Sequence, residues 1–181
     1  MNLPNKLSLI RVALIPVLVL LMHFDNLACH LLAAAVFGAA AFTDFLDGHL
    51  ARKNGLVTDF GKFIDPVADK LLTLSAMVML TLPGLLPHWM LCLILARELS
   101  VDGLRMVAVS QGRVIAAGPL GKIKTVSQIV LILWLMIFRQ PVFSGGWGIL
   151  STVIGLWVAA ITLVSGVDYF RRNRDCIRNA K

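Results

Sequence analysis

Long apolar runs alternate along this chain with shorter segments that hold most of the charged residues. A membrane-spanning helix needs about 20 mostly apolar residues, and six windows come close to that length. The windows cover residues 8–22, 30–47, 67–86, 89–108, 123–138 and 148–168. The pattern therefore predicts an all-α polytopic membrane protein, a bundle of six transmembrane helices forming a single domain over residues 1–181.

The first residues favour a short N-terminal interfacial helix that leads into the first span. Pro4 precedes two basic positions, Lys6 and Arg11, which suits a helix at the membrane surface. A simple membrane anchor explains the same residues equally well. Either way, we expect the first window to be a retained helix, because it lacks the small-residue cleavage site of a secretory signal.

Composition supports placement in a membrane. The chain has 181 residues, of which 58% are hydrophobic, and its mean hydropathy is +0.83. That is more apolar side chain than one soluble core of this size could bury. The three cysteines, Cys29, Cys92 and Cys176, have no paired spacing, so neither a disulfide framework nor a thiolate metal site is indicated.

The basic residues predict which side of the membrane each loop occupies. Lys and Arg in short loops are retained on the cytoplasmic side. With six spans, 15 of the 17 Lys and Arg residues fall on one side, Arg139 falls on the other, and Arg97 lies within the fourth span. We therefore expect both termini, and the loop between spans two and three, to face the cytoplasm.

That loop and its flanks, residues 43–70, carry five of the ten acidic residues. In regular helices, Asp44 and Asp47 share one face, and Asp65 and Asp69 share another. Four carboxylates brought together would repel one another unless a cation compensated them, and oxygen ligands of this kind suit Mg or Mn. The alternative is that the aspartates only cap helix ends, which fits one residue better than four. Asp59 lies outside the pairing, and we expect a loop or capping role for it.

Small residues between the two pairs point to a close contact with a ligand. Gly48 and Gly55 are predicted to break the helix, Ala51 is small, and Gly61 allows the close backbone approach that phosphate or nucleotide binding requires. Pro66 is tolerated in the first turn of a helix, so the third span is predicted to begin near it.

The order and spacing of these residues resemble the signature of the CDP-alcohol phosphotransferase family. Eight positions spread over 26 residues make this resemblance far more specific than a lone glycine motif. The matching positions are Asp44, Asp47, Gly48, Ala51, Arg52, Gly61, Asp65 and Asp69. The six-span layout also resembles that family, so the similarity extends over nearly the whole chain.

The resemblance implies an enzyme that transfers a phosphatidyl or related group from a CDP-linked donor to an alcohol and releases CMP. It implies that Asp44, Asp47, Asp65 and Asp69 bind two divalent ions, Mg or Mn, that hold the donor's diphosphate. It also implies that Asp69 is the general base. No nucleophilic Ser or Cys stands among these residues, which favours direct transfer over a covalent intermediate.

The same resemblance assigns further residues to the CDP-linked donor. Gly48 and Ala51 would lie against the cytidine, where a larger side chain would block it. Arg52 would bind a phosphate or hold the acidic helix in place, and Gly61 would lie close to the donor. Asn5, with the opening helix, would line the nucleotide end of the pocket.

The acceptor has to be inferred from other polar residues. The segment ARELSVDGLR places Arg97, Glu98, Asp102 and Arg105 on the fourth span. Charged residues within a span usually face a bundle interior or an aqueous cavity. The alternative is an internal salt bridge, Arg97 or Arg105 with Glu98 or Asp102, that serves helix packing.

Three segments, MNLPNKLSLIRVALIP, ARELSVDGLR and GKIKT, resemble the bacterial phosphatidylglycerophosphate synthase branch of the family. That resemblance implies CDP-diacylglycerol as donor and glycerol 3-phosphate as acceptor, with Arg105, Arg113, Lys122 and Lys124 as candidates for binding the acceptor's phosphate. It also implies a homodimer in the bacterial cytoplasmic (inner) membrane, in contact with membrane lipid and with no nucleic-acid partner.

Two other functions remain open from the sequence. The first is a sibling enzyme with another acceptor, such as inositol phosphate, serine or phosphatidylglycerol. The second is a divalent-cation transporter that uses the aspartates as its permeation site. A transporter would have its carboxylates near the bilayer midplane, whereas these stand at the predicted cytoplasmic ends of their spans.

Overall fold

The structure is a computed structural model in which six long helices are followed by one short helix. The backbone is described for residues 3–54, 59–113, 115–116, 118–146 and 148–178, and side chains for 8–43, 67–113, 115–116, 118–146 and 148–176. The helices are α1 (Leu3–His23), α2 (Leu27–Asn54), α3 (Asp59–Thr81), α4 (His88–Ser110), α5 (Pro119–Phe138), α6 (Gly148–Arg172) and α7 (Arg174–Arg178). The described residues are thus all-α, as the sequence predicts.

Each of the six apolar windows overlaps one long helix, but three predicted boundaries are wrong. A separate interfacial helix is absent from the described N-terminal residues, because α1 runs without interruption from Leu3 to His23. Gly48 does not break α2, which continues to Asn54; a single glycine inside a helix costs only about 1 kcal/mol relative to alanine. The predicted break at Gly55 lies outside the described residues.

The third boundary concerns Pro66. Helix α3 begins at Asp59, so Pro66 lies inside the helix and not in its first turn. A proline in this position removes one backbone hydrogen bond, and α1 contains a comparable proline, Pro16, within an unbroken helix. The charged end of α2 and the charged start of α3 thus lie outside the apolar windows. Backbone hydrogen bonding continues in both helices past the apolar residues.

Helices α5 and α6 are, among the described residues, long and apolar enough to cross a membrane. Shorter apolar helical stretches run from Ser8 to His23 and from Leu27 to Thr43. These helices and the composition are those of a membrane protein. The number of six spans stays a prediction.

The helices group into two compact units, which we describe separately. The first contains residues 1–85 and 132–139. In it, α1 packs against both α3 and α2. The fully buried side chains of Leu18, Phe37, Leu72 and Met77 come from these three helices. Between membrane helices, side chains of this kind stabilise packing mainly through van der Waals contact, because lipid is as apolar as they are.

The second unit contains residues 86–131 and 140–181. Helix α4 packs against α6 and against the short helix α7. One buried cluster joins these three helices, and its members include Val101, Leu104, Ala108, Tyr169 and Cys176. The side-chain amide of Gln111, at the end of α4, donates a 2.9 Å hydrogen bond to the carbonyl of Cys176, so the beginning of the C-terminal tail is attached to α4.

Candidate active site

The four aspartates of the predicted metal site lie on two helices of the first unit. Positions 44 and 47 are both in α2, and positions 65 and 69 are both in α3. Spacings of three and four residues therefore fall within regular helix, where such positions share a face. The side chains of Asp44, Asp47 and Asp65 lie outside the described residues.

Asp69 is the one member of the quartet whose side chain is described, and it is half-buried. Its backbone carbonyl accepts a 2.9 Å hydrogen bond from the hydroxyl of Thr73 one turn later. That bond uses only the main-chain oxygen of Asp69. Where side chains are described, no group of three or more His, Cys, Asp or Glu residues could hold a metal ion.

The residues predicted to bind the CDP-linked donor are Gly48, Ala51, Arg52, Gly61 and Asn5. All five side-chain positions lie outside the described residues. Backbone is assigned for each of them: Asn5 belongs to α1, Gly48, Ala51 and Arg52 to α2, and Gly61 to α3. Their roles stay predictions.

The four candidates for the acceptor's phosphate belong to the second unit and have different environments. Arg113 is exposed in the segment after α4, and Lys122 is exposed in the first turn of α5. Lys124 is buried, with 3% of its surface exposed, and its ammonium donates to Oε1 of Glu98. Arg105 is half-buried and donates from Nε to the Tyr169 hydroxyl over 3.1 Å.

Arg113 also lines a polar cavity of about 490 Å³ at the end of the second unit. Arg172, Asn173 and Asp175 also line this cavity. The guanidinium of Arg172 is already paired with Asp168 at 2.8 Å. Arg113 is therefore the more available of the two cations in this cavity for an anionic group.

One of the salt bridges predicted as an alternative for the fourth span is present, between Arg97 and Glu98, and its role in helix packing stays a prediction. Nη1 of Arg97 lies 3.4 Å from Oε1 of Glu98. No sequence pattern pairs Glu98 with Lys124, because the two residues are on different helices and 26 positions apart. Tyr169 was not among the predicted site residues, although this single tyrosine interrupts the apolar run of α6 and was the available signal.

Comparison with known proteins identifies the class. The family model for CDP-alcohol phosphatidyltransferases matches residues 1–165. The chain therefore belongs to the CDP-alcohol phosphatidyltransferase family. This confirms the resemblance inferred from the eight positions between Asp44 and Asp69.

Individual relatives refine the comparison. The chain is 41% identical to the CDP-diacylglycerol--glycerol-3-phosphate 3-phosphatidyltransferase of Bacillus subtilis (strain 168), with 99% of this chain and 98% of that protein covered. It is 40% identical to a probable phosphatidylglycerophosphate synthase of Mycobacterium tuberculosis, covering 94% and 81%. It is 39% identical to the CDP-diacylglycerol--glycerol-3-phosphate 3-phosphatidyltransferase of Rickettsia typhi, covering 94% and 96%.

Proposed function

We propose that this chain transfers the phosphatidyl group of CDP-diacylglycerol to glycerol 3-phosphate, giving phosphatidylglycerophosphate and CMP. The observation that carries the proposal is the complete eight-position pattern from Asp44 to Asp69, on α2 and α3 of a member of this family. The names of relatives at about 40% identity over nearly the full chain support the choice of donor and acceptor.

The metal requirement follows from the donor set. Asp44, Asp47, Asp65 and Asp69 offer only carboxylate oxygens, which fit hard divalent cations, and their helical spacing lets each pair share a face. Members of the family generally use divalent metal ions. Two bound ions, Mg or Mn, would neutralise the charge that develops on the diphosphate as CMP leaves.

The protein's own groups act on the acceptor. Asp69 accepts the proton of the attacking hydroxyl of glycerol 3-phosphate. The hydroxyl oxygen forms a bond to the phosphorus that carries the diacylglycerol, and the bond from that phosphorus to the oxygen of CMP breaks. Arg105, Arg113 and Lys122 bind the acceptor's phosphate, because several cations are needed to hold a dianion in one orientation. Lys124 is the fourth candidate for this phosphate, and its ammonium also donates a hydrogen bond to Glu98.

On the donor side, Gly48 and Ala51 leave room for the cytidine, and Gly61 permits close approach of the backbone. Arg52 binds a phosphate or holds α2 in place, and Asn5 lines the nucleotide end. The proposal also includes a single-domain homodimer with six spans in the bacterial inner membrane, in contact with lipid and with both termini and the site on the cytoplasmic side.

An acceptor panel tests the proposal. The purified full chain in detergent is given CDP-diacylglycerol, Mg or Mn, and one alcohol at a time, and CMP release is measured. We expect release with glycerol 3-phosphate, loss of release with a chelator, and recovery when either metal is added back. Release only with inositol phosphate, serine or phosphatidylglycerol would assign the chain to a sibling activity instead.

A further inference from the structure

Glu98 and Lys124 form a buried ion pair between α4 and α5. Glu98 is 9% exposed and Lys124 is 3% exposed, and the ammonium of Lys124 donates to Oε1 of Glu98. Removing charged groups from water is unfavourable unless good geometry compensates for it. A pair this well buried therefore fixes the position of both side chains much more tightly than a surface pair would.

Arg97 is enclosed beside this pair. Its Nη1 lies 3.4 Å from the same Glu98 oxygen, and its Nε is buried without a hydrogen-bond partner. A Cβ on Gly121 of α5 would lie 3.7 Å from Nη2 of Arg97, and one on Gly166 of α6 would lie 3.2 Å from its Cγ. Helices α5 and α6 thus both approach Arg97 at a glycine. The carboxylate of Glu98 is shared by two cations, Arg97 and Lys124.

The two lysines at the start of α5 have different surroundings. Lys122 and Lys124 are two residues apart, and at about 100° per residue they point to roughly opposite sides of the helix. Lys124 is turned towards α4 and buried, whereas Lys122 is exposed. The first four N–H groups of a helix have no partner within it, so side-chain contacts such as this one help to hold its first turns.

We propose that Glu98 is a positioning residue for the acceptor. By holding Lys124, it fixes the rotation of the first turns of α5 and so presents Lys122 to the acceptor's phosphate. Glu98 itself does not touch the acceptor. This inference rests on the proposed function, because it requires a phosphorylated acceptor.

The test uses steady-state CMP release by the purified full chain. Glu98→Gln removes the charge that holds Lys124, and we expect the KM for glycerol 3-phosphate to rise at least about tenfold, since charge-assisted hydrogen bonds are strong. The KM for CDP-diacylglycerol should stay within about twofold. Asp25→Asn, which removes the exposed carboxylate that pairs with Arg139 at 3.0 Å in the first unit, is the control and should leave both constants unchanged.

Two further variants separate positioning from helix packing. Glu98→Asp keeps the charge on a shorter side chain and should give an intermediate KM for the acceptor, and it decides the question if Glu98→Gln does not fold. Lys122→Gln should raise the same KM, and adding Glu98→Gln to it should change that KM little further, since both changes remove one interaction.

Other outcomes would overturn the inference. Acceptor KM values within twofold of wild type in both Glu98 variants would show that the pair does not position anything. Equal changes in both KM values, or fully additive effects of the Glu98 and Lys122 changes, would assign the pair to packing alone. If the wild-type chain were active with inositol phosphate only, the proposed function would be wrong, but the same test would apply with that phosphorylated acceptor. If it were active with serine only, both the proposed function and this inference would be wrong.

Discussion

The side chain of Arg105 on α4 is held by the hydroxyl of Tyr169 on α6. Nε of Arg105 donates to this oxygen at 3.1 Å, and the guanidinium carbon lies 5.6 Å from the centre of the tyrosine ring. Tyr169 is itself buried, with 6% exposed. A rigid, buried aromatic residue therefore sets the direction of a cation that we propose binds the acceptor's phosphate.

Changing Tyr169 to Phe tests this relationship. The variant keeps the ring and the cation–π contact but loses the hydroxyl, so Arg105 becomes less well oriented. We expect the KM for glycerol 3-phosphate to rise by about three- to tenfold with little change in the KM for the donor. Kinetics of CMP release measure both constants.

The control for that variant is Trp157→Phe. Trp157 is also on α6, and its indole donates a 3.0 Å hydrogen bond to Ser127, so this change also removes one hydrogen bond made by an aromatic residue. The acceptor KM should be unaffected. Equal effects of the two substitutions would mean that Tyr169 serves the fold and has no bearing on the acceptor.

Changing Asp69 to Asn tests the general base. The amide keeps the size of the side chain but cannot accept the acceptor's proton, and we expect turnover to fall at least ~100-fold. Asp59→Asn, in the same acidic segment, should retain near-normal turnover. If Asp69→Asn kept wild-type turnover, the base would have to be another group.

The orientation in the membrane is tested with single cysteines in a chain whose Cys29, Cys92 and Cys176 are replaced. A Cβ on Gly145, between α5 and α6, would meet nothing within 4 Å, and Arg174 is exposed in α7. In intact cells, a membrane-impermeant thiol reagent should label Gly145→Cys from outside and reach Arg174→Cys only after permeabilisation. The reverse labelling pattern would invert the proposed topology.

Two glycines should respond to substitution with opposite effects on stability. A Cβ on Gly103 of α4 meets nothing within 4 Å, so Gly103→Ala should stabilise the protein by about 0.5–1 kcal/mol. A Cβ on Gly155 of α6 would lie 3.1 Å from Val142 and 3.3 Å from Met90. Gly155→Leu should therefore destabilise it by about 1–3 kcal/mol.

Thermal unfolding of the two variants in detergent, compared with wild type, measures both changes. A higher Tm for Gly155→Leu would show that the contacts around α6 are looser than these distances indicate. An unchanged Tm for Gly103→Ala would show that helix propensity contributes little at this exposed position.

The sequence alone predicted the helices because apolar runs of helical length are a local property of the chain. Each of the six windows overlaps one helix. Helix ends were predicted less well: Gly48 and Pro66 both lie inside helices. In a helix interior a glycine costs about 1 kcal/mol and a proline about 3 kcal/mol relative to alanine. The rest of each helix outweighed these costs, so α2 and α3 continue past both residues.

The family could also be predicted from the sequence, because its eight signature positions lie within one segment of 26 residues. Partners on different helices were decided only by tertiary structure. Lys124 meets Glu98 and Arg105 meets Tyr169 across separations of 26 and 64 positions. No local pattern specifies such pairs, since they depend on how α5 and α6 pack and rotate against α4.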